Sequence, residues 1–132
     1  MTATTGSDVT EHLSSLAFQP TIDRLIATIE KAGMTVFARI DHAAGAKEAG
    51  MTMPPTVVLL YGNPRGGTPI MLASPLAALD LPLRVLVRED NEGHSLVSFH
   101  PIVAVLRGVG IPDELAKRLE PAQRVLIDAI KP

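Results

Sequence analysis

Thr56-Val57-Val58-Leu59-Leu60-Tyr61 is an apolar run, and it continues directly into Gly62-Asn63-Pro64-Arg65-Gly66-Gly67-Thr68-Pro69-Ile70-Met71. The run predicts an interior β-strand covered on both faces, because a strand with one solvated face would alternate apolar and polar residues. The continuation predicts a glycine-rich loop that opens a helix, with Thr68 as the N-cap and Pro69 as the first helical residue. A helix start carries unpaired backbone N–H groups, so this point of the chain is a candidate anion site.

The candidate site combines one guanidinium with several neutral donors. Arg65 would neutralise an anionic group through charge-assisted hydrogen bonds. The backbone N–H groups of Gly66, Gly67 and Thr68 would complete the site, and the Asn63 side chain would add a directional hydrogen bond. The segment is not a phosphate-binding P-loop, because the pattern G-x-x-x-x-G-K-[ST] is absent. The alternative interpretation is a tight strand-to-helix turn in which the glycines satisfy local geometry and Arg65 is solvated.

A second candidate is the pair Asp41-His42, which falls where the predicted strand ends, after Ile40. His42 could act as a general base or contact a ligand near neutral pH, and a carboxylate could orient it. Adjacent residues on a strand point to opposite faces, however, and Asp41 equally suits the N-cap of a short helix that begins near Ala43. Both interpretations of the pair stay open at this point.

Composition excludes several classes of protein. The 132 residues carry a formal net charge of −2 without a block of like charges, which argues against binding to nucleic acid or to a membrane surface. The chain has no cysteine, so disulfides, thiolate catalysis and cysteine-ligated zinc are excluded, and the expected compartment is the reducing cytoplasm. His94 and His100 flank one predicted strand, but a metal site needs three or four converging ligands. We therefore predict no metal and no cofactor.

The spacing of apolar residues predicts the remaining helices and strands. A 3.6-residue period indicates helix and strict alternation indicates strand. The predicted elements are a weak strand at 9–16, helices at 20–32 and 43–49, strands at 34–41, 83–89 and 95–99, and helices at 101–107 and 113–130. Pro121 must kink or divide the last helix. This order predicts a single α+β domain at residues 9–132, with a mixed sheet of about four to five strands covered by helices, after a flexible tail at residues 1–8.

The methionines need separate consideration because the chain has three Phe, one Tyr and no Trp. Methionine is flexible and fills irregular apolar space, so it could line an apolar cavity or an interface. The alternative is that it fills gaps in an aromatic-poor core. The residues concerned are Met34, Met51, Met53 and Met71.

Three segments carry a family resemblance: Phe37–Ala46, Tyr61–Met71 and Leu79–Val87. Over roughly Ser14 to Pro101 the chain resembles the bacterial and archaeal family called domain of unknown function 302. The motif positions that match are Asp41, His42, Asn63, Pro64, Gly67, Thr68, Pro69, Asp80, Leu81 and Pro82. The resemblance implies a compact α+β domain, often a homodimer, for which no reaction is established.

Three functional hypotheses follow from these observations. The leading one is a homodimeric domain that binds a small, anionic ligand or another protein, with ligand contacts from His42, Asn63, Arg65, Gly66, Gly67 and Thr68. The alternative is a small enzyme of the hydrolase or isomerase type, with His42 as the base and the segment 63–68 as the oxyanion-stabilising site. A third hypothesis is a structural partner domain. In that case an apolar stripe at Leu115, Leu119, Leu126 and Ile130 would form the dimer contact, although core packing explains the stripe as well.

Overall fold

Five strands form one sheet in which all neighbouring strands are antiparallel. The structure is a computed structural model that describes residues 9–132, so the predicted tail at residues 1–8 lies outside the described residues. The strands stand side by side in the order β1-β5-β4-β3-β2. Their bounds are β1 Thr10–Leu13, β2 Thr35–Asp41, β3 Thr56–Gly62, β4 Leu83–Glu89 and β5 Ser95–Phe99. The predicted α+β class is confirmed, but the predicted mixed sheet is wrong.

The connections between strands explain that error. The helices are α1 Phe18–Lys31, α2 His42–Glu48, α3 Pro64–Ala73, α4 Ile102–Arg107, α5 Asp113–Ala116 and α6 Glu120–Ala129, with 3₁₀ helices at Pro75–Leu79 and Lys117–Leu119. Helices separate β2 from β3 and β3 from β4 in sequence, as they do in parallel βαβ units. Here α2 has only seven residues and α3 packs mainly against the two 3₁₀ helices. Each following strand therefore starts at the end of the sheet where the preceding strand stopped.

The apolar core lies on one face of the sheet. Along β3, Val57, Leu59 and Tyr61 are fully buried, whereas Val58 and Leu60 on the other face are half-buried. The strand is interior, as predicted, since it lies between β4 and β2. It is completely covered on one face only, which corrects the prediction of two covered faces.

Helices α1 and α6 provide much of that cover. The predicted apolar face of α1 is buried through Ile22, Leu25 and Ile29, and burial of each such side chain stabilises the fold by about 1.5–3 kcal/mol. The C-terminal stripe is also in the core, with Leu126 and Ile130 fully buried. Core packing is therefore the correct interpretation of that stripe, and it does not form an exposed dimer face. The predicted division of the last helix near Pro121 is confirmed, because α6 starts at Glu120.

Two buried polar side chains fix α6 over the sheet. The Gln123 amide nitrogen donates to the His100 carbonyl oxygen at 2.9 Å, and its side-chain oxygen accepts from the Ile102 backbone N–H at 3.0 Å. The Tyr61 hydroxyl donates to the Ala122 carbonyl oxygen at 2.9 Å. Burial raises the pKa of the Tyr61 phenol well above its usual range, so the hydroxyl keeps its proton and remains a donor. These bonds tie α6 to β3 and to the start of α4.

We expect Gln123→Leu to lower the free energy of unfolding by about 2 kcal/mol, because it leaves the buried Ile102 N–H without its partner and breaks the partly buried bond to the His100 carbonyl oxygen. Chemical denaturation followed by circular dichroism measures this change. Gln19→Leu removes an exposed glutamine from α1 and should stay within about 0.5 kcal/mol of the parent. Equal stability of the two variants would contradict the structural role assigned to Gln123.

Candidate functional site

The glycine-rich segment is helical in the structure. Helix α3 begins at Pro64, and its N-cap is Asn63, whose side-chain oxygen accepts from the Arg65 backbone N–H at 2.9 Å. Thr68 and Pro69 therefore lie inside the helix, and the prediction that they start it is wrong. The sequence contains two pairs of a capping residue followed by proline, five residues apart. Both obey the same rule, and the fold uses the first of them.

This earlier start changes what the glycines do. The N–H groups of Gly66 and Gly67 both donate to the Asn63 carbonyl oxygen, at 2.9 and 3.0 Å. They are hydrogen-bonded within the helix, so the prediction that they are free to bind an anion is wrong. Gly66 instead allows close packing, because a β-carbon at position 66 would lie only 3.2 Å from Leu119 Cδ2. A β-carbon at position 67 would lie 3.7 Å from Leu81 Cδ1, which is an ordinary van der Waals contact.

A cavity of about 820 Å³ opens beside this helix start. Its walls come from the end of β3, from α3, from the segment Leu81–Leu83 that leads into β4, and from the chain around the start of α6. The peptide bond between Leu81 and Pro82 in this wall is cis. A volume of this size lies within the roughly 300–1,000 Å³ range of small-molecule sites.

The cavity walls are mostly apolar. Met34 and Met71 line the cavity and also pack against the core, so the cavity and the gap-filling interpretations both apply to them, whereas Met51 and Met53 are exposed. The three polar side chains among the lining residues are Asn63, Thr68 and Arg118. Four of the six predicted site residues thus lie at one cavity: Asn63, Gly66, Gly67 and Thr68.

Arg65 and His42 are not among the residues that line the cavity. Arg65 is exposed on the first turn of α3. In the antiparallel pairing of β2 with β3, Thr35 lies opposite Gly62 and Asp41 lies opposite Val57. His42 is therefore at the far end of β3 from Asn63, roughly 20 Å away at about 3.4 Å per residue. The expected grouping of His42 with the segment 63–68 is wrong, because antiparallel pairing puts the two at opposite ends of the sheet.

Asp41 has the structural role that its sequence position allows. It is the N-cap of α2, and its side chain accepts from the Ala44 backbone N–H at 2.9 Å. His42 follows as the first residue of this helix and is exposed. In the described part of the chain, no three His, Asp or Glu side chains come close enough together to hold a metal ion.

Sequence reasoning missed Arg118 and the rest of the C-terminal wall. Arg118 lies in the second 3₁₀ helix, next to the buried Leu119, and both line the cavity. Nothing in the linear sequence connects these residues to the segment 63–68, about fifty positions earlier. The signal in the sequence that points to a further wall is the pair Leu81-Pro82. Both residues are motif positions of the family resemblance, and both line the same cavity.

Comparison with protein families gives a match to the domain of unknown function DUF302 over residues 10–131. The chain belongs to the DUF302 family. The match reaches well beyond the segment Ser14 to Pro101 that carries the sequence resemblance, so the C-terminal helices are part of the family domain. Family membership carries no established reaction, since the family's own description states that its function is unknown.

A solved structure shows the same fold. It is an uncharacterized conserved DUF302 protein from Bacillus stearothermophilus, with a TM-score of 0.87, 20% sequence identity, and coverage of 95% of this chain and 99% of the other. At this identity the likeness establishes the fold alone. The five-stranded antiparallel sheet with its helices is thus shared by two DUF302 members.

Curated relatives include proteins named fluoride-specific ion channel FluC 1, from Brucella suis and Brucella abortus. Each is 49% identical to this chain over 73 residues, which is 55% of this chain. The aligned segment makes up 29% and 27% of these relatives, so the chain spans less than a third of their length. Among residues 9–132, every helix is too short or too polar to cross a lipid bilayer.

We expect Asn63→Ala to lower the free energy of unfolding by about 1 kcal/mol, because it removes the side-chain cap of α3. Asn63→Asp retains an acceptor for the Arg65 N–H, so the free energy of unfolding should fall much less in this variant. Urea denaturation of the two variants beside the parent measures the difference. If Thr68 were the true N-cap, Thr68→Ala would show the larger loss instead, and the helix start described above would be wrong.

Proposed function

We propose that this protein is a small-ligand-binding domain that works as a homodimer. The observation that carries the proposal is the cavity of about 820 Å³ beside the start of α3, with mostly apolar walls and a few polar side chains. That combination is the usual character of a small-molecule site. The walls include several positions of the family motif, namely Asn63, Pro64, Gly67, Thr68, Leu81 and Pro82.

The position of His42 favours a binding role over the enzyme alternative. A general base must come within hydrogen-bond reach of the group that it deprotonates. His42 lies at the opposite end of β3 from the cavity, so it and the segment 63–68 would not act on one substrate atom. Two of the backbone donors proposed for oxyanion stabilisation, the N–H groups of Gly66 and Gly67, are hydrogen-bonded to the Asn63 carbonyl oxygen.

The homodimer rests on a second surface. Leu72 at the end of α3 is 80% exposed, and Leu76 and Leu79 in the following 3₁₀ helix are 60% and 72% exposed. Residues three apart share one side of a 3₁₀ helix, so the last two project together. Exposed apolar side chains grouped in this way are typical of protein interfaces. We propose this leucine surface, Leu72, Leu76 and Leu79, as the dimer contact.

The fluoride named in the Brucella relatives is a poor fit to the cavity. Fluoride is small and strongly hydrated, so a site must replace its water with several converging donors. The cavity is large and mostly apolar, and the amides of Gly66 and Gly67 are already bonded. We therefore propose an organic ligand for this chain. We do not propose for it the channel activity that the names of the Brucella relatives state.

Native mass spectrometry of freshly purified protein tests the ligand. We expect mass in excess of whole multiples of the 14.0 kDa chain, and loss of that excess on denaturation. Gly67→Leu should abolish the excess mass, because its side chain would project toward Leu81 and Met71 in the cavity.

Gly45→Leu is the matched control, since Gly45 also lies in a helix and a β-carbon added at this position would meet no atom within 4 Å. The control should keep the bound mass. Equal retention of bound mass in both variants would show that the ligand does not occupy this cavity.

Leu76→Glu should convert the dimer to a monomer without loss of helical content, because a buried charge at an interface is costly to desolvate. Light scattering after size-exclusion chromatography measures the oligomeric state. Leu13→Glu is the matched control, because Leu13 on β1 has the same exposure of 60%. A monomer from Leu13→Glu together with a dimer from Leu76→Glu would move the interface to the edge of the sheet.

A further inference from the structure

The cavity has one charged residue in its walls. Among residues 9–132, Arg118 is the only ionisable side chain that lines the cavity, so no carboxylate of these residues lies beside it in the walls. Within residues 9–132, no hydrogen bond or ion pair engages the Arg118 guanidinium. The cavity therefore joins an apolar interior to an uncompensated positive charge.

The position of Arg118 places that charge at the rim. Arg118 is exposed, while the next residue, Leu119, is buried in the core and forms part of the wall. Arg118 and Leu119 are neighbours in the 3₁₀ helix Lys117–Leu119. The buried leucine side chain therefore anchors the backbone next to Arg118. A side chain on this anchor can reach the mouth of the cavity while its head group stays solvated.

The neutral polar groups add little competing chemistry. The Asn63 side chain is used on both sides, since its oxygen accepts from the Arg65 N–H and its nitrogen donates to the Gly33 carbonyl oxygen at 3.4 Å. Thr68 contributes a hydroxyl. A ligand therefore meets a large apolar surface and one site of strong ionic bonding.

We propose that the ligand is an amphipathic anion, an apolar body with a single carboxylate or sulfonate-like group, and that Arg118 binds the anionic group. This inference rests on the proposed ligand-binding function and specifies its chemistry. A guanidinium presents several N–H donors in a planar fork that matches the two oxygens of a carboxylate. The apolar body fills the space between α3, the segment Leu81–Leu83 and the start of α6.

Two fluorescent probes of similar skeleton separate the charge from the apolar contact. 8-Anilinonaphthalene-1-sulfonate carries a sulfonate, and N-phenyl-1-naphthylamine is neutral. We expect the parent protein to bind the sulfonate probe about tenfold more tightly than the neutral one, the effect of one charge-assisted contact. Arg118→Gln should remove this preference by weakening only the sulfonate probe, and Arg118→Lys should restore much of it.

Arg65→Gln is the matched control. Arg65 is an exposed arginine close to the cavity in sequence, but it is not one of the lining residues. This variant should leave both affinities unchanged, and Gly67→Leu should weaken both probes. Equal affinity of the parent for the two probes, or a preference that survives Arg118→Gln, would overturn the assignment of an anionic ligand and leave the proposed function standing. Binding of either probe that Gly67→Leu does not weaken would overturn the cavity site itself, and with it both proposals.

Discussion

The fold depends on covering the single apolar face of its sheet. Val57, Leu59 and Tyr61 on the interior strand β3 are buried, so helices must cover that face, and α6 contributes to the cover near the end of the described residues. Apolar burial drives this packing but does not set its direction. The bonds from Gln123 and Tyr61 have direction, and an unpaired buried partner would be costly. They fix where α6 lies.

The cavity is a consequence of the same arrangement. The chain around the start of α6 forms one wall and α3 forms another, and Gly66 lets α3 approach Leu119 closely. Gly66 therefore serves packing, whereas the sequence suggested that the amides of both glycines would bind an anion. A hydrogen bond already made inside a helix is unavailable to a ligand, and this removes Gly66 and Gly67 as donors. It leaves the side chains at the rim to provide polar contacts.

Antiparallel pairing also decides which candidate residues can cooperate. A strand ends where its antiparallel neighbour begins, so the residue after β2 and the residue after β3 lie at opposite ends of the sheet. His42 and Asn63 are separated for this reason, although both follow strands and both match the family motif. In a parallel sheet the same two positions would lie at one edge, as ligand sites in such sheets do. The mistaken mixed sheet and the mistaken grouping of His42 with the loop thus have one cause.

The sequence by itself determined the α+β class, most strand positions, the apolar face of α1 and the break near Pro121, because periodicity and proline geometry are local properties. It also located the segment 63–68 that borders the cavity. It placed the helix start at Thr68, whereas the structure starts the helix after Asn63; both positions carry the same local signal, a capping residue followed by proline. Only the tertiary structure decided the direction of the strands. It also decided that His42 lies far from the segment 63–68 and that Arg118 lines the cavity. These features join positions far apart in the chain, and a local pattern carries no information about long-range contacts.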